Sequence, residues 1–183
     1  GMLAMATGLV VFAVLADPSG GYLTVLPGTL ILGAGVGLAM SPSTAAITSS
    51  LPEEKQGVAS SLNATVREMG GAVGIALIGS VLNAAYQSNV EPATAGLPPE
   101  VAHPVTEGIG GALAAAGQMG PNGATLIDAA RQSFVDAMMP ALLLAAAVCA
   151  AAALFTAIRG PKTAAEAEPR LHTPEPQDNS GEP

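Results

Sequence analysis

Three polar residues that could do chemistry at a membrane, Asn63, Arg67 and Glu68, stand together in the stretch 57–86. The second half of this stretch is uncharged and rich in small residues. A helix of that length nearly crosses a hydrocarbon core of roughly 30 Å. Charged side chains at membrane depth are costly, so they usually have a reason to be there. We therefore treat these three residues as the first candidates for a site.

Arg67 shares one helical face with Asn63, Gly70 and Gly74, because these positions follow the spacing i, i+4, i+7 and i+11. Along this face the residues are first polar (Asn63), then cationic (Arg67) and then small (Gly70 and Gly74). This order predicts close packing on other helices and contact with water or substrate near one membrane surface. For Arg67, a structural role ranks before substrate contact, because long cationic side chains near helix ends reach the surface or bind carbonyls there.

Glu68 points away from Arg67, because successive residues on a helix differ by about 100°. A simple ion pair between the two is not expected. Transfer of a carboxylate into low dielectric favours its protonated form, so Glu68 is the candidate for proton coupling. The alternative, an ionised acid in headgroup water, is the simpler interpretation and ranks first.

The elements that position these residues are apolar stretches of helical length. They predict an all-α polytopic membrane protein with four transmembrane helices, at about 2–16, 23–51, 57–86 and 129–158. Pro42 and Pro140 lie inside the second and fourth helices, where each removes a hydrogen bond and predicts a kink. Asp136, near the start of the fourth helix, is a further candidate for a structural or substrate-facing polar residue.

Small residues on the helix faces predict where backbones approach closely. Pairs of glycines four residues apart occur in both the second and the third helix. The candidate packing glycines are Gly33, Gly37, Gly70, Gly71 and Gly74.

Two hydrophilic stretches separate and follow the helices. The acidic stretch 87–128, rich in Gly, Pro and Ala, predicts a solvated extracytoplasmic loop, and a weak surface helix over 105–119 is the alternative. Tyr22 and Tyr86 are expected to mark the membrane surface on that side. The stretch 161–183 predicts a disordered tail.

The basic residues set the predicted orientation. Lys55 lies in one short loop, and Arg159, Lys162 and Arg170 follow the last helix. The positive-inside rule places both regions, and hence the C-terminus, in the cytoplasm.

Composition excludes several classes of function. Half of the 183 residues are hydrophobic, 11% are charged and the mean hydropathy is +0.48, which is typical of a membrane protein. No basic patch for nucleic acid occurs. The two histidines, in the loop and the tail, support neither a catalytic triad nor a metal cluster. We expect no enzyme, no metal and no cofactor.

Several motifs then agree in order and spacing. A Gly-rich helix ends in Gly-Leu-Ala-Met-Ser-Pro at 37–42, a charged loop ends in glycine at 52–57, and a helix carries Asn63, Arg67, Gly70 and Gly71. With Ser-Phe-Val-Asp at 133–136, these motifs resemble the late helices of the major facilitator superfamily. The closest resemblance is to its fourteen-helix drug:proton antiporter branch, the EmrB/QacA family, and it covers about 1–160.

The resemblance implies the C-terminal portion of a proton-coupled multidrug efflux transporter in the inner cell membrane. The family's first helices are absent, so we expect no transport by the chain alone. The implied partners are the lipid bilayer, the missing N-terminal helices, protons and a small amphipathic substrate, with no nucleic acid. Two alternatives stay open: an independent four-helix membrane protein that acts as an oligomer or accessory subunit, and a membrane anchor that does not transport.

Overall fold

The computed structural model describes residues 1–49, 52, 55–120 and 123–159, and this part of the chain is all-α, as predicted. Its helices are α1 (Met2–Leu15), α2 (Tyr22–Ser49), α3 (Gln56–Thr94), α4 (Pro99–Glu107), α5 (Ile109–Gln118) and α6 (Gly123–Arg159). Three of them, α2, α3 and α6, contain segments long and apolar enough to cross a membrane, and α1 is a shorter apolar helix. The long helices therefore set the architecture.

Helices α1 and α2 are antiparallel, and their backbones come close at glycines. A Cβ atom added to Gly8 would lie 2.6 Å from the backbone nitrogen of Leu32, and one added to Gly35 would lie 2.6 Å from that of Met5. Gly28, seven residues before Gly35, approaches α1 equally closely. A seven-residue spacing keeps residues on one side of a pair of helices that cross at a small angle. Glycine thus lets the two helices approach more closely than larger residues would.

Helix α6 contacts both α1 and α3. Near its end, the Thr156 hydroxyl donates to the Ala152 carbonyl of its own helix at 2.8 Å and lies 3.8 Å from the Met2 sulfur of α1. Its first half packs along α3 through a buried stripe at helical spacing, formed by Leu126, Ala130, Ser133, Ala137 and Ala141. Small residues in this stripe keep α3 and α6 close together.

The structure corrects the prediction of a solvated loop over 87–128. Helix α3 continues to Thr94, α4 and α5 follow, and α6 begins at Gly123. Apolar residues at helical spacing bury one another here, among them Val90 and Val105, both 0% exposed. This burial outweighs the low helix propensity of the glycines. We call α4 and α5, with residues 86–94 of α3 and 123–137 of α6, the cap.

Pro42 and Pro140 both lie inside continuous helices, α2 and α6. The positions predicted for kinks are thus helical on both sides, and the kinks themselves stay predictions. The predicted tail, 161–183, lies outside the described residues.

Candidate functional site

A cavity of about 310 Å³ lies between α1, α2 and the first third of α3. Asn63 and Arg67, which share a face in the sequence-based prediction, both line it. The rest of its wall comes from the facing helices: Met5 of α1, and Val36, Ala39, Met40 and Thr44 of α2. The structure therefore brings two of the predicted site residues together with side chains that are distant in sequence.

The cavity combines one cation with mostly apolar walls. Arg67 is exposed, Asn63 is half-buried, and no acidic side chain of the described residues lines the wall. Within the described part of the chain, Arg67 forms neither an ion pair nor a hydrogen bond through its side chain. The Thr44 hydroxyl donates to the Met40 carbonyl at 3.0 Å, which secures that side chain against its own helix. The guanidinium is thus the charged group at this site.

Glu68 is exposed and lies outside the cavity wall. It forms no ion pair with Arg67, in agreement with the rotation of about 100° between successive helical residues. The structure thus separates the two charged residues onto different faces of α3. A role of Glu68 in proton coupling stays a prediction.

Asp136 belongs to a different part of the molecule. It is exposed on α6, where its Oδ1 accepts a hydrogen bond from Gln132 Nε2 at 2.9 Å. The neighbouring Ser133 contacts α3 at Asn89, which lies 22 residues after Arg67, or roughly 33 Å along a helix. The structure does not bring Asp136 to the cavity.

The glycines predicted to pack closely are open within the described structure. A Cβ atom added to any of Gly33, Gly37, Gly70, Gly71 and Gly74 would meet nothing within 4 Å. On α2, the contact with α1 instead falls on the face of Gly28 and Gly35. The seven-residue spacing of these two, matched by Gly8 on α1 and Gly1 directly before it, is the sequence signal for the contact. Packing of the five open glycines on helices outside this chain stays a prediction.

The cap is the second organised region, and sequence reasoning missed it. Tyr86 is 3% exposed, its hydroxyl donates to the Val105 carbonyl at 3.1 Å, and its ring meets Phe134 edge-on at 6.4 Å. Tyr86 is therefore a core residue of the cap rather than a marker of the membrane surface. Tyr22, by contrast, is 76% exposed. The apolar positions Tyr86 and Val90, one helical turn apart, are the signal that α3 continues.

The described part of the chain is all-helical, and three of its helices are long and apolar enough to span a membrane, which defines the class of a multi-pass membrane protein. Comparisons with known proteins add its relatives. The chain is 38% identical over 130 residues to the multidrug efflux pump LfrA of Mycolicibacterium smegmatis, and this match covers 70% of the chain and 26% of the pump. It is 35% identical over 167 residues to the tetracenomycin C resistance and export protein of Streptomyces glaucescens, which covers 85% of the chain and 31% of that protein.

A shorter match links the chain to the multidrug resistance protein Stp of Mycobacterium tuberculosis, 37% identical over 68 residues that cover 37% of the chain and 13% of Stp. The chain is thus homologous to multidrug efflux proteins of the major facilitator superfamily, which confirms the resemblance found in its motifs. It spans between a quarter and a third of the length of LfrA and of the Streptomyces protein. No family model and no solved structure matches it.

Proposed function

We propose that the chain is the C-terminal portion of a proton-coupled multidrug efflux transporter of the fourteen-helix drug:proton antiporter branch, and that it does not transport without the N-terminal helices. The single observation that carries this proposal is the cavity at Asn63 and Arg67, which α1, α2 and the first third of α3 line. Transporter sites of this superfamily's type lie between two halves of the molecule. A cavity that three helices of this chain line and that is otherwise open fits one half of such a site.

The surface of α3 supports the same proposal. Its first two turns and its middle expose large apolar side chains, each more than half accessible: Val58, Leu62, Val66, Met69, Val73, Ile75 and Leu77. These exposed side chains are available to lipid or to further helices. Close approach of further helices would use the small residues Gly70 and Gly74, which are open here.

The proposal assigns a role to each of the candidate polar residues. Arg67 and Asn63 face the substrate path, and Glu68 is the candidate for proton coupling, since a carboxylate exposed in turn to each side can carry a proton. Asp136, hydrogen-bonded to Gln132 in the cap, has a structural role. The protein is not an enzyme.

The proposed location is the inner cell membrane, with four spans, the C-terminus in the cytoplasm and the cap outside. A cysteine at exposed Ser88, in the cap half of α3, should react with an impermeant thiol reagent in intact cells. A cysteine at exposed Ser60, near the other end of α3, should react only after the cells are opened. The reverse pattern would overturn the orientation.

A chimera tests the function. In the M. smegmatis pump, the aligned segment is replaced by this chain, and drug efflux is measured in a host without its own pumps. We expect the chimera to export drug and the 183-residue chain to export none. Efflux by the chain alone would favour the alternative, an independent four-helix oligomer whose subunits contact one another through the open face of α3.

The coupling role of Glu68 is tested in the active chimera. Glu68→Gln should lower the dependence of efflux on an imposed pH gradient, with Glu91→Gln in the cap as the control. Efflux that keeps its full dependence on the gradient would remove Glu68 from the coupling mechanism.

A further inference from the structure

We propose that the cavity at Asn63 and Arg67 is an anion-binding site, which takes the acidic group of an amphipathic molecule and covers its apolar part with methionine and aliphatic side chains. The proposal rests on the proposed function in so far as the ligand is a transported substrate. It adds the charge and the shape of the ligand, which the homology does not supply.

The first step is the charge. Helices α1 and α2, which form the facing walls, carry no charged residue. On α3, Glu68 lies outside the cavity wall. Arg67 therefore lines the cavity as a cation that no side chain of the described residues neutralises. Such a group attracts an anion.

The second step is the set of hydrogen-bond donors. A guanidinium presents five N–H donors in a planar fork that suits the two oxygens of a carboxylate, sulfonate or phosphate. The Asn63 amide lies one helical turn away on the same wall and adds two further donors. A planar fork beside a second donor favours an oxyanion over a halide or a neutral carbonyl.

The third step is the apolar wall. Met5 and Met40 come from two different helices and line the cavity with Val36. Methionine side chains are unbranched and polarizable, so they adapt to ligands of varied shape and contact aromatic rings favourably. The volume of about 310 Å³ lies at the lower end of small-molecule pockets. It accommodates an acidic group with one or two rings attached.

Two sources can supply this chemistry, an acidic amphipathic substrate and the headgroup of an anionic lipid. Both place an oxyanion on Arg67 and apolar carbon against the methionines. They differ in where the ligand comes from, and lipid composition separates them experimentally.

Photolabelling of the 183-residue chain in phosphatidylcholine nanodiscs tests the site. The probe is benzophenone-4-carboxylate, and its methyl ester is the matched neutral probe. Irradiated benzophenone inserts into nearby C–H bonds, and mass spectrometry locates the adduct. We expect saturable labelling of the peptides that contain Met5 or Met40 by the acid. The ester should label them only without saturation.

Substitution of the cation sharpens the result. Arg67→Gln should lower labelling by the acid about tenfold below saturation, since a charge-assisted hydrogen bond is worth about that factor in affinity. Arg67→Lys should restore part of it. Arg131→Gln, which removes an exposed cation in the cap, should change nothing. An unchanged midpoint of unfolding in SDS shows that each of these variants is still folded.

The lipid arm identifies the source. If phosphatidylglycerol in the discs lowers labelling of the wild type, the site takes a lipid headgroup. If labelling is unchanged, it takes a free amphiphile. Either result supports an anion site. Two results would overturn the anion site. One is equal, unsaturable labelling of the wild type by acid and ester, which does not depend on whether Arg67→Gln folds. The other is full labelling of a folded Arg67→Gln variant by the acid.

This experiment is separable from the proposed function. Labelling is measured on the chain by itself, so an inactive chimera would leave the anion site standing. Conversely, if the labelling experiment refutes the anion site, the result of the efflux measurement on the chimera still stands.

Discussion

The two ends of α3 have different surroundings. At the cap end, Tyr86 and Val90 are almost fully buried against α4 and α6. At the other end, Arg67 and its neighbours stand exposed beside a cavity. One continuous helix thus carries a packed segment and an open segment.

The difference separates the segment of α3 that packs within this chain from the segment that lines the proposed site. The cap has a core of its own, closed by a buried hydrogen bond from Tyr86 and an aromatic contact with Phe134. It can hold α3 and α6 together at one end without further helices. Among the described residues the open end has no such core, which leaves its polar face available for ligands and its apolar face for partners.

The largest effect is expected from removal of the aromatic side chain at the centre of the cap. Tyr86→Ala should lower the free energy of unfolding by about 3–5 kcal/mol, since it leaves a cavity and an unpaired Val105 carbonyl. Tyr22→Ala, the other tyrosine and an exposed one, is the matched control and should have little effect. Unfolding is followed by titration with SDS. Equal effects of the two substitutions would mean that the cap contributes no core.

A second prediction extends the comparison to α2, which has one closed and one open face. Gly35→Leu should separate α1 from α2, because its side chain would meet the backbone of Met5, and cost about 1–3 kcal/mol or more. Gly33→Leu, two residues away and in open space, is the control. The free energy of unfolding, measured by titration with SDS, reports the contact. Equal stability of the Gly35 and Gly33 variants would contradict the helix register.

A smaller effect isolates the hydrogen bond in the cap from its packing. Tyr86→Phe keeps the ring against Phe134 and removes only the hydroxyl that donates to the Val105 carbonyl at 3.1 Å. The expected loss is about 1 kcal/mol. Hydrogen exchange at the amides of α4 should rise accordingly. A loss as large as that of Tyr86→Ala would show that the hydroxyl, rather than the ring, holds the cap.

The smallest effect concerns the turn between α1 and α2. Hydrogen bonds to the Asp17 carboxylate hold its pKa below the usual 3.8. The Ser19 hydroxyl has the largest effect, and the backbone amides of Ser19 and Gly20 also donate to this carboxylate. A lowered folded-state pKa means that the carboxylate stabilises the turn above the unfolded pKa, and that this is lost as pH falls through the folded value. NMR titration of the Ser19 amide should show a midpoint below 3.8, and Ser19→Ala should raise it. A midpoint at or above 3.8 in the wild type would remove this turn contact.

The site was predicted from sequence only in part. Helical periodicity placed Asn63 and Arg67 on one face and turned Glu68 away, because the 100° step is a local property of any helix. The residues opposite them, Met5 and Met40, were not predicted. Their position depends on how α1 and α2 stand beside α3, which no local pattern encodes.

The sequence by itself determined the apolar segments, the all-α class, the shared face of Asn63 and Arg67, and the relation to drug exporters. These follow from composition, local geometry and motif order. Only the tertiary structure decided that Gly28 and Gly35, rather than Gly33 and Gly37, meet α1, and that Tyr86 closes a core with Val105 and Phe134. Both depend on the register of helices distant in sequence, which is set by the total packing of their surfaces.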